Sequence, residues 1–288
     1  MARSIERISS RPGRWAGLII LLFYTGLSLL SLYLMVVSGL THLGVSFDSS
    51  DLDWYPRDWA WGNFIGFFEL TRGAAWTWLR NSLIVALGPT LFNLIFSAMA
   101  GYALAKIEFP GRMLVFWSII GVMVIPAFVT LIPMYQMMFR FGWFDTFFAL
   151  IVPRIAGIGG IFLFKQYMTT LPSDLCEAAR IDGASEWGIF WRIILPMARP
   201  VLAVMFLLDF SAAWNDYFWP YLVTNSKDMM TMQVGIISLV GVDQGFALQL
   251  DYGIVMAGAL LASLPLIVLF VALQRFFVRG LTMGAVKG

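Results

Sequence analysis

The sequence predicts an all-α integral membrane protein with six transmembrane helices, both termini cytoplasmic, and a cytoplasmic amphipathic helix between the fourth and fifth spans. Three observations carry this. Of 288 residues, 60% are hydrophobic and 12% charged, about half the charge of a soluble domain. Mean hydropathy is +0.80. Aromatics are abundant, with 25 Phe, 12 Trp and 9 Tyr, as expected where rings sit at a bilayer interface. These numbers exclude a soluble enzyme, a disordered chain and a nucleic-acid binder. The net charge of +2 is too small and scattered for a polyanion partner. One cysteine, Cys176, and one histidine, His42, exclude an internal disulfide, a multi-cysteine zinc site and a histidine-cluster metal site.

A helix crossing about 30 Å of hydrocarbon needs about 20 apolar residues. The first such run is 15–41, after Arg3, Arg7, Arg11 and Arg14. It is longer than the apolar region of a signal peptide, so it reads as an uncleaved span. The second, 81–105, lies between Arg80 and Lys106, and the third, 113–139, between Arg112 and Arg140. The fourth, 146–164, contains Arg154. The fifth, 200–224, contains Asp209 and Asp216, and the sixth is 252–274. All six form one permease domain over 1–288. With the N-terminus inside, thirteen Lys and Arg fall on the cytoplasmic side and five on the other, which the positive-inside rule favours.

The connections are unequal. Those at 106–112 and 140–145 are short turns. The cytoplasmic 171–199 connection opens with the helix-start signal Pro172-Ser173-Asp174. Its apolar positions Ala178, Ile181, Trp187, Phe190 and Ile194 stand among balanced charges, Asp174, Glu177, Asp182 and Glu186 against Arg180 and Arg192. A basic amphipathic helix lies on lipid; a balanced one suits docking on a protein. The outer 224–251 connection is glycine-rich yet apolar, with Gly235, Gly241 and Gly245 amid Val234, Ile236, Ile237, Leu239, Val240 and Phe246. It reads as a partly folded loop.

Asp209 and Asp216 are seven apart, two turns on one face of a continuous fifth helix. An ionisable group inside a membrane faces protein or water. Asn215 and Asp216, flanked by Trp214 and Trp219, either line a polar path, with rings for the apolar faces of a sugar, or sit near the outer end, solvated or paired. Trp219 reads first as an interface anchor, and Arg154 as the partner of an acid. Pro220 loosens the helix there and frees carbonyls for a polar lining.

Glu177-Ala178-Ala179, three residues, Gly183, nine residues, then Ile193-Ile194-Leu195-Pro196 matches every specified position of the EAA---G---------I-LP loop of ABC importer permeases. Asn81-Ser82-Leu83-Ile84-Val85, Phe109-Pro110-Gly111-Arg112, Leu131-Ile132-Pro133 and Trp214-Asn215-Asp216 resemble the maltose-type carbohydrate permeases. The ending from Gln274 to Gly288 is similar to that of their second permease subunit. The resemblance runs from about residue 60 to the C-terminus. It implies a bacterial inner-membrane, multi-pass subunit that is not itself an enzyme. It implies as partners a second homologous permease, two copies of an ATPase carrying ATP and Mg, an extracytoplasmic sugar-binding protein and membrane lipid.

In that family the loop is a coupling helix seated in a cleft of the ATPase. Glu177 would supply a charge, Ala178 and Ala179 close packing, Gly183 the bend, with Asp182, Ile193, Leu195 and Pro196 completing the coupling set. The tail from Gly280 to Gly288 would lie against the same ATPase pair. The outer loop would probe the binding protein through Gly241, Val242, Asp243, Gln244 and Gly245. No lysine stands in a P-loop pattern, so nucleotide chemistry falls to another chain and this one binds no cofactor. A different class, a proton-coupled secondary transporter with Asp209 and Asp216 as relay, needs no ATPase. Its usual internal repeats are not evident. Cys176, just before the motif, reads as a small buried apolar residue.

Overall fold

The computed structural model describes residues 11–41, 54–56, 59–240 and 252–285. Among these, all regular structure is helical. In chain order the helices are α1 (Arg11–Gly39), α2 (Gly62–Leu70), α3 (Ala74–Lys106), α4 (Arg112–Met123), α5 (Ala127–Arg140), α6 (Phe147–Ile151), α7 (Ile158–Thr169) and α8 (Asp174–Ile181). They continue with α9 (Glu186–Ile189), a π turn (Phe190–Ile194), α10 (Leu195–Met197), α11 (Arg199–Trp214), α12 (Phe218–Val223), α13 (Met232–Leu239) and α14 (Tyr252–Ala285). A 3-10 turn, Val152–Arg154, follows α6.

Four helical stretches are long and apolar enough to cross a membrane: Trp15–Gly39, Ala74–Lys106, Phe147–Thr169 and Tyr252–Phe276. Two bent pairs, Arg112–Met123 with Ala127–Arg140 and Glu186–Met197 with Arg199–Trp214, bring the number to six if each counts once. The third span, expected as one run over 113–139, is a bent pair of helices. Its two halves meet at 92°: the first ends at Met123, Pro126 has no N–H to carry the helix on, and its extended backbone (φ −60°, ψ 134°) redirects the chain into the second. The expected fifth span is also interrupted: α11 ends at Trp214 and α12 starts at Phe218. Asp216 thus lies in the break, and the two-turn face shared with Asp209 does not exist.

The chain packs as two units. The first comprises 1–72 and 236–262. There Asn63 Nδ2 donates to the carbonyls of Gly39 (3.1 Å) and Thr41 (3.0 Å), tying α2 to the end of α1. The second comprises 73–235 and 263–288, with α3 as its spine, packed chiefly on α7 and next on α11. Gly101 makes that approach possible: a Cβ there would lie 2.6 Å from Phe164 Cβ and 2.9 Å from the Lys165 nitrogen. Small residues let spanning helices close in this way. Near the N-terminal end of α3, Asn81 Nδ2 donates to the carbonyls of Asp228 (2.7 Å) and Met230 (3.0 Å). Ser82 Oγ accepts from the Met232 N–H at 2.7 Å. The Asn81-Ser82 pair thereby fixes where α13 begins, within the connection expected to be partly folded.

Candidate functional site

The 171–199 segment is a helix-turn-helix. Ser173 stands before α8, and Asp174 and Glu177 occupy its first turn, where the helix dipole favours acids. Gly183 has φ +81°, a conformation that costs other residues about 1–2 kcal/mol. It allows the Ala184 N–H to reach the Ala179 carbonyl (2.9 Å) and its own N–H to reach that of Arg180 (3.0 Å), the paired bonds of a Schellman ending. The next helix is capped by Ser185 Oγ, which accepts from the Gly188 N–H at 3.2 Å.

The structure divides the motif residues into two sets. Glu177, Ala178, Asp182 and Gly183 are exposed and Ala179 is half-buried. Ile193, Leu195 and Pro196 are half-buried, with Ile193 and Leu195 packed on a core of Tyr102, Phe164, Cys176, Phe190, Ile194 and Val201. That core joins the segment to α3, α7 and α11. Cys176 is 1% exposed, in line with its reading as a small buried apolar residue, and burial pushes its thiol up from the ordinary range. The expected apolar face needs correction. Cys176, Ile189, Phe190 and Ile194 turn inward, whereas Ile181 is 86% exposed and Trp187 58%. The exposed side therefore carries large apolar side chains, Leu175, Ile181, Trp187 and Trp191.

A second cluster lies along the spans. Asn93, on α3, is its centre: its Nδ2 donates to Asp209 Oδ2 (2.7 Å) and its Oδ1 accepts from the Gly157 N–H (2.7 Å) and from Ser97 Oγ (2.8 Å). Arg154 Nη1 donates to Asp216 Oδ2 at 2.5 Å and Nη2 to the Ala212 carbonyl at 3.3 Å. Asp216 Oδ1 accepts from the Trp219 N–H, in the first turn of α12, at 3.3 Å. The expected pairing of Arg154 with an acid is observed. A cavity of about 230 Å³ opens here, lined by Pro89, Thr90, Asn93, Arg154, Gly157 and Asp209 among others. Thr90 Oγ1 is buried in its wall with no hydrogen-bond partner among the described residues. Such a hydroxyl costs about 1–3 kcal/mol unless something bonds it.

The path residues expected from the sequence do not all meet here. Asp209 lines the cavity and Asp216 reaches it through Arg154. Asn215 is exposed. Trp214 is 2% exposed and stacked on Phe210, with ring centroids 5.6 Å apart, so protein covers its ring. Trp219 is corrected from interface anchor to core: it is 6% exposed, and its Nε1 donates to the Ala149 carbonyl at 2.9 Å. Asn93, Ser97 and Thr90 join the site only through the packing of α3. Their signal in the sequence was a run of polar side chains inside an otherwise apolar span. Gly241, Val242, Asp243, Gln244 and Gly245 lie outside the described residues, as does the end of the tail.

Comparison with known proteins gives a consistent result. Residues 93–283 match the model of a family described as the binding-protein-dependent transport system inner membrane component. An arabinooligosaccharides transport system permease protein of Halalkalibacterium halodurans is 38% identical, over 78% of this chain and 79% of its own. The protein of the same description from Bacillus subtilis is 34% identical over 83% of each chain. An sn-glycerol-3-phosphate transport system permease protein of Pectobacterium atrosepticum is 34% identical over 78% of this chain and 81% of its own. In solved structures, a chain of a bacterial ABC transporter involved in the import of the acidic polysaccharide alginate has the same fold. Its TM-score is 0.77 at 24% identity, covering 93% of this chain and 98% of that one.

Proposed function

The chain belongs to the binding-protein-dependent transport system inner membrane component family, and from that premise we propose that it is one permease subunit of an ATP-driven importer of a carbohydrate, a di- or oligosaccharide. It crosses the inner membrane six times, each bent pair once, with both termini in the cytoplasm. It forms half of the translocation path beside a second, homologous permease. Two copies of an ATPase carry the ATP and Mg, and an extracytoplasmic binding protein delivers the sugar. This chain binds no cofactor and catalyses no reaction.

The observation that carries this reading is the exposed half of the 171–199 segment. Glu177, Ala178, Asp182 and Gly183 are exposed, as are Ile181 and Trp187 of the same segment. The other half is buried among the ends of three spans. A surface of this kind receives force from a partner and passes it inward. Ala178 and Ala179 leave room for a closely packed cleft, and Glu177 offers a charge at its rim. Along the spans, the sugar passes the Asn93–Asp209 wall. There Asp209 accepts from sugar hydroxyls and the Thr90 hydroxyl gains a partner. Arg154 and Asp216 neutralise one another, and Asn215 lies nearby on the exposed side. The outer 224–251 connection, through Gly241 to Gly245, meets the binding protein.

The test is purification of the chain with its neighbours and reconstitution in vesicles. Co-purification of an ATPase and a second permease, with ATP-dependent uptake of a labelled oligosaccharide in the presence of the binding protein, is the expected result. Uptake by this chain alone, driven by a proton gradient, would overturn it.

A further inference from the structure

Arg180 and Glu186 lie on the two helices of the 171–199 segment and face each other across the Gly183 turn. Arg180 Nε donates to Glu186 Oε1 at 2.6 Å and Nη2 to Oε2 at 3.3 Å, a two-pronged pairing that fixes direction as well as distance. The same Nη2 donates to the Lys106 carbonyl at 3.1 Å, at the end of α3. Tyr102, one turn earlier on α3, donates its hydroxyl to Glu186 Oε2 at 2.6 Å. Lys106 Nζ completes the bracket, donating to the Leu171 carbonyl (2.5 Å) and to Ser173 Oγ (3.1 Å) just ahead of α8. The Arg180 hydrogen bond holds the Glu186 carboxyl below its usual range, so the pair is ionised at neutral pH.

Stability alone does not account for this cluster. The side chains of Arg180 and Glu186 are 37% and 43% exposed, and ion pairs at that exposure add at most about 1 kcal/mol. What the cluster does is geometric. It attaches both helices of the segment to one face of the last turn of α3, where Tyr102 and Lys106 are four residues apart. Asn93 lies nine residues before Tyr102 on the same helix, about 14 Å along its axis, and there holds Asp209 and Gly157.

We propose that Tyr102, Glu186 and Arg180 form a transmission joint, through which displacement of the α8–α9 surface turns α3 and with it the Asn93–Asp209 wall. Tyr102 is then a positioning residue for coupling, buried behind the docking face and touching neither ATPase nor sugar. This rests on the ATP-driven reading above, which ATP-dependent uptake by the unmodified complex establishes before any variant is compared.

The experiment uses the full complex in vesicles with Tyr102→Phe, with Glu186→Gln and with both. It reads retention of the ATPase subunit, basal hydrolysis, and sugar transported per ATP hydrolysed. For Tyr102→Phe, retention and basal hydrolysis should be unchanged while transport per ATP falls about tenfold, the scale of one hydrogen bond to a charged group. The double variant should be no worse than the worse single, because either change opens the same joint. An unchanged ratio in Tyr102→Phe would overturn the proposal. So would singles whose losses multiply in the double variant, or loss of the ATPase subunit from the Tyr102→Phe complex, which would make Tyr102 part of the docking face.

Discussion

Removing Arg154 tests whether the pair in the break of the fifth span is structural or belongs to the transport path. The two side chains are 29% and 19% exposed, so most of the pair is out of solvent. Arg154→Met would leave Asp216 with the Trp219 N–H alone; Asp216→Leu would leave the guanidinium with the Ala212 carbonyl. Breaking a buried pair by removing one partner costs about 3–5 kcal/mol, and partial exposure here brings the expectation to about 2–4 kcal/mol. The double variant, Arg154→Met with Asp216→Leu, removes both charges together and should cost less than about 2 kcal/mol. Thermal denaturation of the nanodisc-embedded complex should therefore show each single variant falling by about 5 °C or more and the double recovering much of it. Singles within about 0.5 kcal/mol of the parent, or a double equal to their sum, would refute the reasoning. Uptake completes the test: a double variant that still transports identifies the pair as structural, and a stable one that does not places it on the path.

Gly101→Val should destabilise by about 1–3 kcal/mol or more, since even a Cβ there meets the backbone of Lys165; a thermal midpoint equal to the parent's would show that α3 and α7 can part. Glu177→Lys, on an exposed position, should leave stability within about 0.5 kcal/mol while weakening ATPase retention and uncoupling transport, and full transport would sink the coupling role of that carboxylate. Asp145 sits at φ +59° with its carboxylate accepting from the Asn225 (2.9 Å) and Ser226 (3.0 Å) N–H groups. Burial pushes its carboxyl up, but those bonds outweigh it and leave the group below its ordinary 3.8. Its contribution is therefore complete above that value and lost as pH falls through the lower folded value. Asp145→Asn, which keeps the left-handed backbone accessible, should flatten the melting temperature's pH dependence between about pH 5 and 3, and an unchanged profile would exclude the carboxylate as its source.

Charge-free runs made the spans legible, because a bilayer punishes charge more than it rewards any particular side chain. The bend at Pro126 was not legible, since an apolar run looks the same straight or folded back. The shared face of Asp209 and Asp216 presumed a continuous helix that Asn215 ends. Trp214 and Trp219 illustrate a different limit. A tryptophan near the end of a span fits a path wall, an interface or a core equally well by composition, and only tertiary packing puts both inside. Asn93 and Asp209 are 116 residues apart, and nothing local announces such a pairing.

The EAA pattern was legible for another reason: its information is in spacing. Individually its alanines, isoleucine and leucine are ordinary helix and core residues. The structure explains why nine residues separate Gly183 from Ile193. They form the rod of α9 and the π turn that carries Ile189, Phe190 and Ile194 into the core while Trp187 stays outside with Ile181. A π turn holds one residue more than an α turn at the same place, so this register is already adjusted to its core. Inserting one alanine after Gly188 would rotate everything beyond it by about 100° and swing Ile194 off its packing partners. The loss should approach the roughly 2–5 kcal/mol of truncating a buried isoleucine, although no motif residue has changed and α8 keeps its Schellman ending. Melting of the purified complex and retention of the ATPase subunit would measure both consequences. If the insertion is absorbed with neither changed, the rod is pliable, and the spacing of the motif has a cause other than the register of Ile194 in its core.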